Sequence, residues 1–156
     1  HAISTQMGCV RITERIMRTD PPTAEETLDA RKLIDANVTT ASATVPFATA
    51  QTFVGCAGTF TTLSALAQGL DSYDPERIHM SEIFFDRLRE VTADLRAKTA
   101  EQRRENPVVH PGRADVIGSG STVVEQLMDA FERKAGATSF IISEKDILDG
   151  IVAGLA

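Results

Sequence analysis

Val54-Gly55-Cys56-Ala57-Gly58-Thr59-Phe60-Thr61-Thr62-Leu63 joins a short apolar run (Phe53, Val54) to an apolar helical pattern (Leu63, Leu66, Ala67) through a glycine-rich bend. A strand that enters such a bend and leaves as a helix aims several free backbone N–H groups at one point. The positive end of the helix dipole adds to them, so the bend can hold an anion, typically phosphate. Thr59, Thr61 and Thr62 add hydroxyl donors at the same end. Gly55, Cys56, Ala57, Gly58 and Thr59 are therefore the candidate phosphate-binding residues. The bend is not a Walker A loop, because no lysine follows the second glycine, and two glycines do not make a Rossmann fingerprint. A bend of this kind also serves as a plain connection, so the rest of the chain has to decide its role.

Upstream, Ala2 to Met7 reads as a short strand. A helical pattern follows from Cys9 (Val10, Ile12, Ile16, Met17) and stops at Asp20-Pro21-Pro22. Thr23 with Glu26 is a capping box, and Ala30, Ile34, Val38, Ala41 and Val45 carry a long helix to Pro46. Ala50 to Gly55 reads as a buried strand. Downstream, the spacing predicts a helix over Thr59–Gln68 ended by Gly69, a loop over Asp71–Glu76 and a brief strand over Ile78–Met80. Ser81 then caps a helix with the stripe Phe84, Leu88, Val91, Leu95. Thr99 and Gln102 form a second capping box that opens a short charged helix. After a loop over Asn106–Gly112, Val116, Gly120, Val123, Leu127 and Phe131 mark another helix. Gly118 and Gly120 lower its helix propensity and point to close packing against another backbone. Ser139–Ser143 is a strand, and Ser143 caps a last helix with Leu148, Ile151, Val152 and Leu155 on one side. Strands alternate with helices, so the class is α/β. The strands are too few for a self-sufficient sheet, which points to strands missing from this chain or supplied by another.

The 156 residues are enough for one domain with a real core, and 42% apolar and 24% charged content is that of an ordinary globular protein. With 22 acidic against 16 basic residues the formal charge is −6, and no Lys/Arg block marks a nucleic-acid or membrane surface. No apolar run spans a bilayer and no signal peptide is seen. The two cysteines, Cys9 and Cys56, are far apart and form no metal or disulfide pattern. That usage fits a reducing cytoplasm, and Cys56 reads as a small buried residue.

Four segments together resemble the exopolyphosphatase and guanosine pentaphosphate phosphatase family (Ppx/GppA): Met7–Glu14 with Asp20-Pro21-Pro22-Thr23, then Gly55–Leu63, Pro111–Ile117 with Gly118 and Gly120, and Ile142–Gly150. The resemblance implies a ribonuclease-H-like lobe of the sugar kinase/Hsp70/actin superfamily. It implies that residues 1–156 are the second, C-terminal lobe. The first lobe, with its own phosphate loop and catalytic carboxylate, is then absent. So is the Asp-Ile-Gly-Gly-Gly-Ser hairpin that in the family precedes the stretch beginning here at Ala2. No catalytic residue is expected within the chain. Gly150 and Gly154 would pack near the inter-lobe hinge.

The implied reaction removes terminal phosphate from inorganic polyphosphate, or from pppGpp, by in-line attack of water, with a carboxylate, Mg²⁺ and donors on the transferring oxygens. An alternative is a non-catalytic module that senses such nucleotides. No Lys or Arg lies between Lys32 and Arg77, so the bend has no sequence-local cation. Arg11, Glu14 and Arg113 are possible auxiliary residues, against the simpler expectation of Arg11–Glu14 and Arg113–Asp115 surface pairs. The acids of Glu25-Glu26 and Glu101 through Glu105 read as solvated helix faces, and Arg103-Arg104 is the densest basic pair, set among acids. Exposed strand edges would permit a homodimer, and neither DNA nor a membrane is expected as a partner.

Overall fold

The Thr23 hydroxyl accepts from the Glu26 N–H (3.1 Å) while the Glu26 carboxylate accepts from the Thr23 N–H (2.8 Å), the reciprocal pair the sequence predicts. It opens a 21-residue helix. A computed structural model describes residues 1–155. In chain order the elements are α1 (Cys9–Arg15), α2 (Ala24–Thr44), β1 (Val54–Cys56), α3 (Ala57–Ala67), α4 (Pro75–Ile78), β2 (Glu82–Phe84), α5 (Phe85–Ala97), α6 (Ala100–Arg104), α7 (Ile117–Ala135), β3 (Ser139–Ser143) and α8 (Ile147–Ala153). The fold class is the α/β class read from the sequence, with a small three-stranded sheet ordered β1-β3-β2. β1 runs parallel to β3 with Val54 opposite Ile141 and Cys56 opposite Ser143, and β2 runs antiparallel on the other side.

One face of the sheet is dry. Phe140, Ile142 and Ile83 pack with Leu63 of α3, Leu88 of α5 and Met128 of α7. A second cluster joins Ile12 of α1 and Ile34 and Val38 of α2 to Ala130 of α7. Leu127 touches both clusters, so α7 is the axle of the molecule. Ion pairs reinforce it. Glu125 of α7, 7% exposed, accepts from Arg31 of α2 (3.0 Å) and from Arg96 of α5. Arg89 of α5 reaches Asp129 (2.9 Å) and Glu132 (2.7 Å). The opposite face of the sheet is bare: Val54 and Phe84 are exposed.

Several expectations are corrected. Ala2–Met7 forms no strand; the Gln6 N–H donates to Asn37 Oδ1 of α2 instead. The strand expected over Ile78–Met80 lies at Glu82–Phe84. Asp74 caps a helical turn through Ile78, and Met80 then adopts a left-handed φ of 62°, which no strand accommodates. Ser81 does not cap α5; its hydroxyl donates back to the Ile78 carbonyl (2.7 Å). Asp146, not Ser143, caps α8 by accepting from the Leu148 N–H (2.8 Å). The apolar side of α8 faces outward, with Ile147, Leu148, Ile151 and Val152 all exposed. Within the described residues Gly150 stands in open space.

Glu101 and Glu105 are exposed, as expected of them, while the same charged segment holds one buried cation. Arg103 is 3% exposed. Its Nε donates to the Leu95 carbonyl (2.7 Å) and its Nη1 to the Ala114 carbonyl (2.8 Å), and Nη2 lies 3.6 Å from Asp20. Gly118 makes room for it: a Cβ there would stand 2.7 Å from Nη2. Burial holds the Arg103 guanidinium below its ordinary proton affinity, and Asp20 partly offsets this.

Glu26 gives a pH prediction. The Thr19 hydroxyl, first, and then the N–H groups of Thr23, Arg18 and Thr19 hold its carboxyl down at about 2, against 4.5 without them. A depressed carboxyl stabilises the fold above its unfolded value and loses that contribution as the pH falls toward the folded one. The thermal stability of the wild-type chain should therefore fall between about pH 4.5 and 2, and Glu26→Gln should flatten that slope. Identical acid limbs for the two proteins would count against this account.

Candidate anion site at the glycine bend

β1 ends at Cys56 and α3 begins at Ala57 with no intervening loop, so the turn is made within the backbone itself. Ala57 takes a φ of 67°, the left-handed region, which strains a residue with a Cβ by about 1–2 kcal/mol. Gly55 lies inside β1 beneath the Phe60 ring, where any Cβ would overlap the ring. The α3 N-terminus has no side-chain cap, whereas α2, α6 and α8 have capping boxes. The first-turn N–H groups of α3, those of Ala57, Gly58 and Thr59, are thus left to other acceptors.

The bend opens onto a cavity of about 450 Å³ walled by Cys56–Phe60, by Met7–Val10 ahead of and in α1, by Gly112 and Arg113, and by the start of α7. α7 approaches closely at Gly120, where a Cβ would stand 2.8 Å from Thr59 Oγ1 and 3.5 Å from the Cys9 Cβ. The packing expected of that glycine is present, against side chains rather than backbone. Arg113 supplies the cation that local sequence lacks. It sits in a 3-10 turn (Pro111–Arg113), and its guanidinium lies directly over Gly58; a Cβ at Gly58 would fall within it. The Arg113–Asp115 pair is not formed, and among the described residues Arg113 makes no ion pair.

The structure brings together Cys56, Ala57, Gly58, Thr59 and Arg113, and leaves Arg11 and Glu14 exposed on α1, outside the cavity. Nor is the Arg11–Glu14 pair formed among the described residues. Cys56 is exposed, not buried, because β1 is an edge strand and Cys56 shares the uncovered face with Val54. Thr61 and Thr62 do not join the donors. Both are buried, and their hydroxyls turn back to the Gly58 carbonyl, Thr62 at 2.7 Å. Helical rotation puts residues three and four beyond Gly58 on the packed face.

No lining residue of the cavity carries a carboxylate or imidazole. Among the described residues no three His, Cys, Asp or Glu side chains cluster to hold a metal ion. The arrangement can grip an anion with backbone N–H groups and one guanidinium.

The Ppx/GppA phosphatase family profile matches residues 1–154. The chain belongs to this family. A relative from Mycobacterium tuberculosis, exopolyphosphatase 2, is 48% identical over 153 residues, which cover 98% of this chain and 48% of the relative. The crystal structure of an exopolyphosphatase-like protein superposes with a TM-score of 0.95 at 34% identity, covering 98% of this chain and 49% of the other. A crystal structure of an Aquifex aeolicus Ppx/GppA family member matches with a TM-score of 0.86 at 25% identity, covering 98% and 47%. The Ppx/GppA resemblance and its actin-like fold, read from four sequence segments, are borne out. The chain spans about half the length of the curated relatives it matches. No described helix is long and apolar enough to cross a membrane.

Proposed function

We propose that this chain is the phosphate-gripping second lobe of a two-lobed exopolyphosphatase, and that its bend holds phosphoryl oxygens of inorganic polyphosphate. The observation that carries the reading is the Arg113 guanidinium lying over Gly58, at the uncapped start of α3, without an acid partner. An anion seated there meets N–H groups of the first helical turn and a fork of guanidinium donors. The kinship with exopolyphosphatase 2 supports phosphate chains as the anion.

In this mechanism the chain's residues bind and orient. The N–H groups of Ala57, Gly58 and Thr59 and the Arg113 guanidinium fix the phosphoryl oxygens and offset the charge that builds on them as water attacks in line. The carboxylate that positions the water comes from another lobe, because the cavity has none. The chain alone should therefore release no phosphate from long-chain polyphosphate with Mg²⁺. Turnover by the chain alone, abolished by a substitution within it, would contradict the proposal.

Binding is the direct test. In calorimetry with tripolyphosphate, Arg113→Gln should weaken affinity by about tenfold to a hundredfold, the worth of hydrogen bonds to a charged group. Equal affinity of the two proteins would refute the site. The apolar wall of the cavity (Phe60, Val116, Ile117, Val123, Val124) favours a second reading in which the anion carries a nucleobase, as pppGpp does. Tighter binding of pppGpp than of tripolyphosphate, at matched charge, selects it.

A further inference from the structure

We propose that Tyr73 is a positioning residue of the anion site: by holding the Glu144 carboxylate it keeps Arg113 free over Gly58. This rests on the anion-binding reading above. β1 and β3 are adjacent parallel strands, and their carboxyl ends lie side by side, Cys56 opposite Ser143. The bend leaves β1 at Cys56, and the residue that leaves β3 is Glu144. A carboxylate thus stands beside a site that takes anions. Left loose it would repel a phosphate and compete for the one arginine of the bend.

Tyr73, in the loop between α3 and α4, addresses the competition for Arg113, while as a neutral donor it leaves the carboxylate's charge in place. Its hydroxyl donates to Glu144 Oε1. The Thr61 hydroxyl and the Arg113 charge act on the same phenol in the opposite direction to Glu144, lowering its proton affinity. From the other side the Glu144 N–H donates to His79 Nδ1 (3.4 Å), which fixes the backbone that carries the carboxylate. Burial, and then the Glu144 hydrogen bond, raise the proton affinity of Tyr73, so the phenol stays a donor. With Oε1 held by a neutral donor, Glu144 makes no pair with Arg113 among the described residues, and Arg113 makes none with any acid.

The test is tripolyphosphate affinity by calorimetry for the wild type, Arg113→Gln, Tyr73→Phe, Glu144→Gln and the Tyr73→Phe/Glu144→Gln double variant. Tyr73 is partly exposed and the phenylalanine removes only a hydroxyl, and circular dichroism checks that each protein is folded. Tyr73→Phe should bind about tenfold more weakly, because the released carboxylate takes Arg113. The double variant should regain at least wild-type affinity, which a merely structural role for Tyr73 would not produce. Unchanged affinity in Tyr73→Phe, or a double variant as weak as Tyr73→Phe, overturns the proposal while Arg113→Gln still weakens binding. If Arg113→Gln also binds as the wild type does, the anion site itself is refuted. Should Tyr73→Phe not fold, Glu144→Lys in the wild-type background takes its place: weaker binding there overturns the proposal, since a cation beside the bend must help an anion.

Discussion

Arg103→Met is expected to destabilise the chain by about 3 kcal/mol, because it strands two buried carbonyl groups at about 1–3 kcal/mol each. The Leu95 and Ala114 carbonyls each lose a guanidinium donor, and Asp20 loses its nearby charge. For a chain of this size the melting temperature should fall by about 6–12 °C. Arg104→Met, one residue away on the exposed side, should change stability by no more than about 0.5 kcal/mol. The pair is a sharp comparison, since the two substitutions remove the same charge. Equal melting temperatures would mean that the guanidinium does not carry this corner of the fold. Gly118 extends the argument: its Cβ-free surface is where the guanidinium lies, so a side chain there should mimic the loss.

The second large effect is expected at Gly120. A valine there must displace Thr59, whose Oγ1 would lie 2.8 Å and Cγ2 2.9 Å from the new Cβ. Overpacking of this kind costs about 1–3 kcal/mol. The functional loss should be larger than the loss of stability implies. Thr59 belongs to the first turn of α3, so moving it re-aims the N–H groups of the bend. Tripolyphosphate affinity should fall more than about tenfold, the price of one misdirected charge-assisted hydrogen bond. Gly150→Ala is the control: its Cβ enters open space and should stabilise α8 by up to about 1 kcal/mol without altering binding. A Gly120→Val protein that binds as the wild type does would show that α7 does not shape the site.

The parts of this molecule that were legible in the sequence are those dictated by local chemistry. Thr23 with Glu26 and Thr99 with Gln102 announce their helices because a capping box is complete within four residues. β3 was legible because Ser139–Ser143 is β-branched, aromatic and central in the sheet. The glycine bend was legible as a strand-to-helix turn. What could not be read were the partners that cross the fold. Arg113 lies 55 positions after Gly58 and presents as an ordinary turn arginine beside Asp115. The glycines of α7 gave the available signal: Gly118 and Gly120 promised close neighbours but did not name Arg103 or Thr59. The burial of Arg103 was not legible because its sequence neighbours are charged, and burial is a property of the packed chain rather than of the segment. Thr61 and Thr62 were misread as ligands because composition counts hydroxyls without regard to helical phase.

The bare side of the sheet and the outward apolar side of α8 have a thermodynamic consequence. Val54, Phe84, Ile147, Leu148, Ile151 and Val152 all present hydrocarbon to water. Any body that covers this surface binds the folded form and not the unfolded one, so the heat tolerance of the chain becomes a function of that body's concentration, rising as RT ln(1 + [L]/Kd). Measured by itself, the chain should light up a hydrophobic dye and melt at a temperature that says little about its resistance to heat once that surface is shielded.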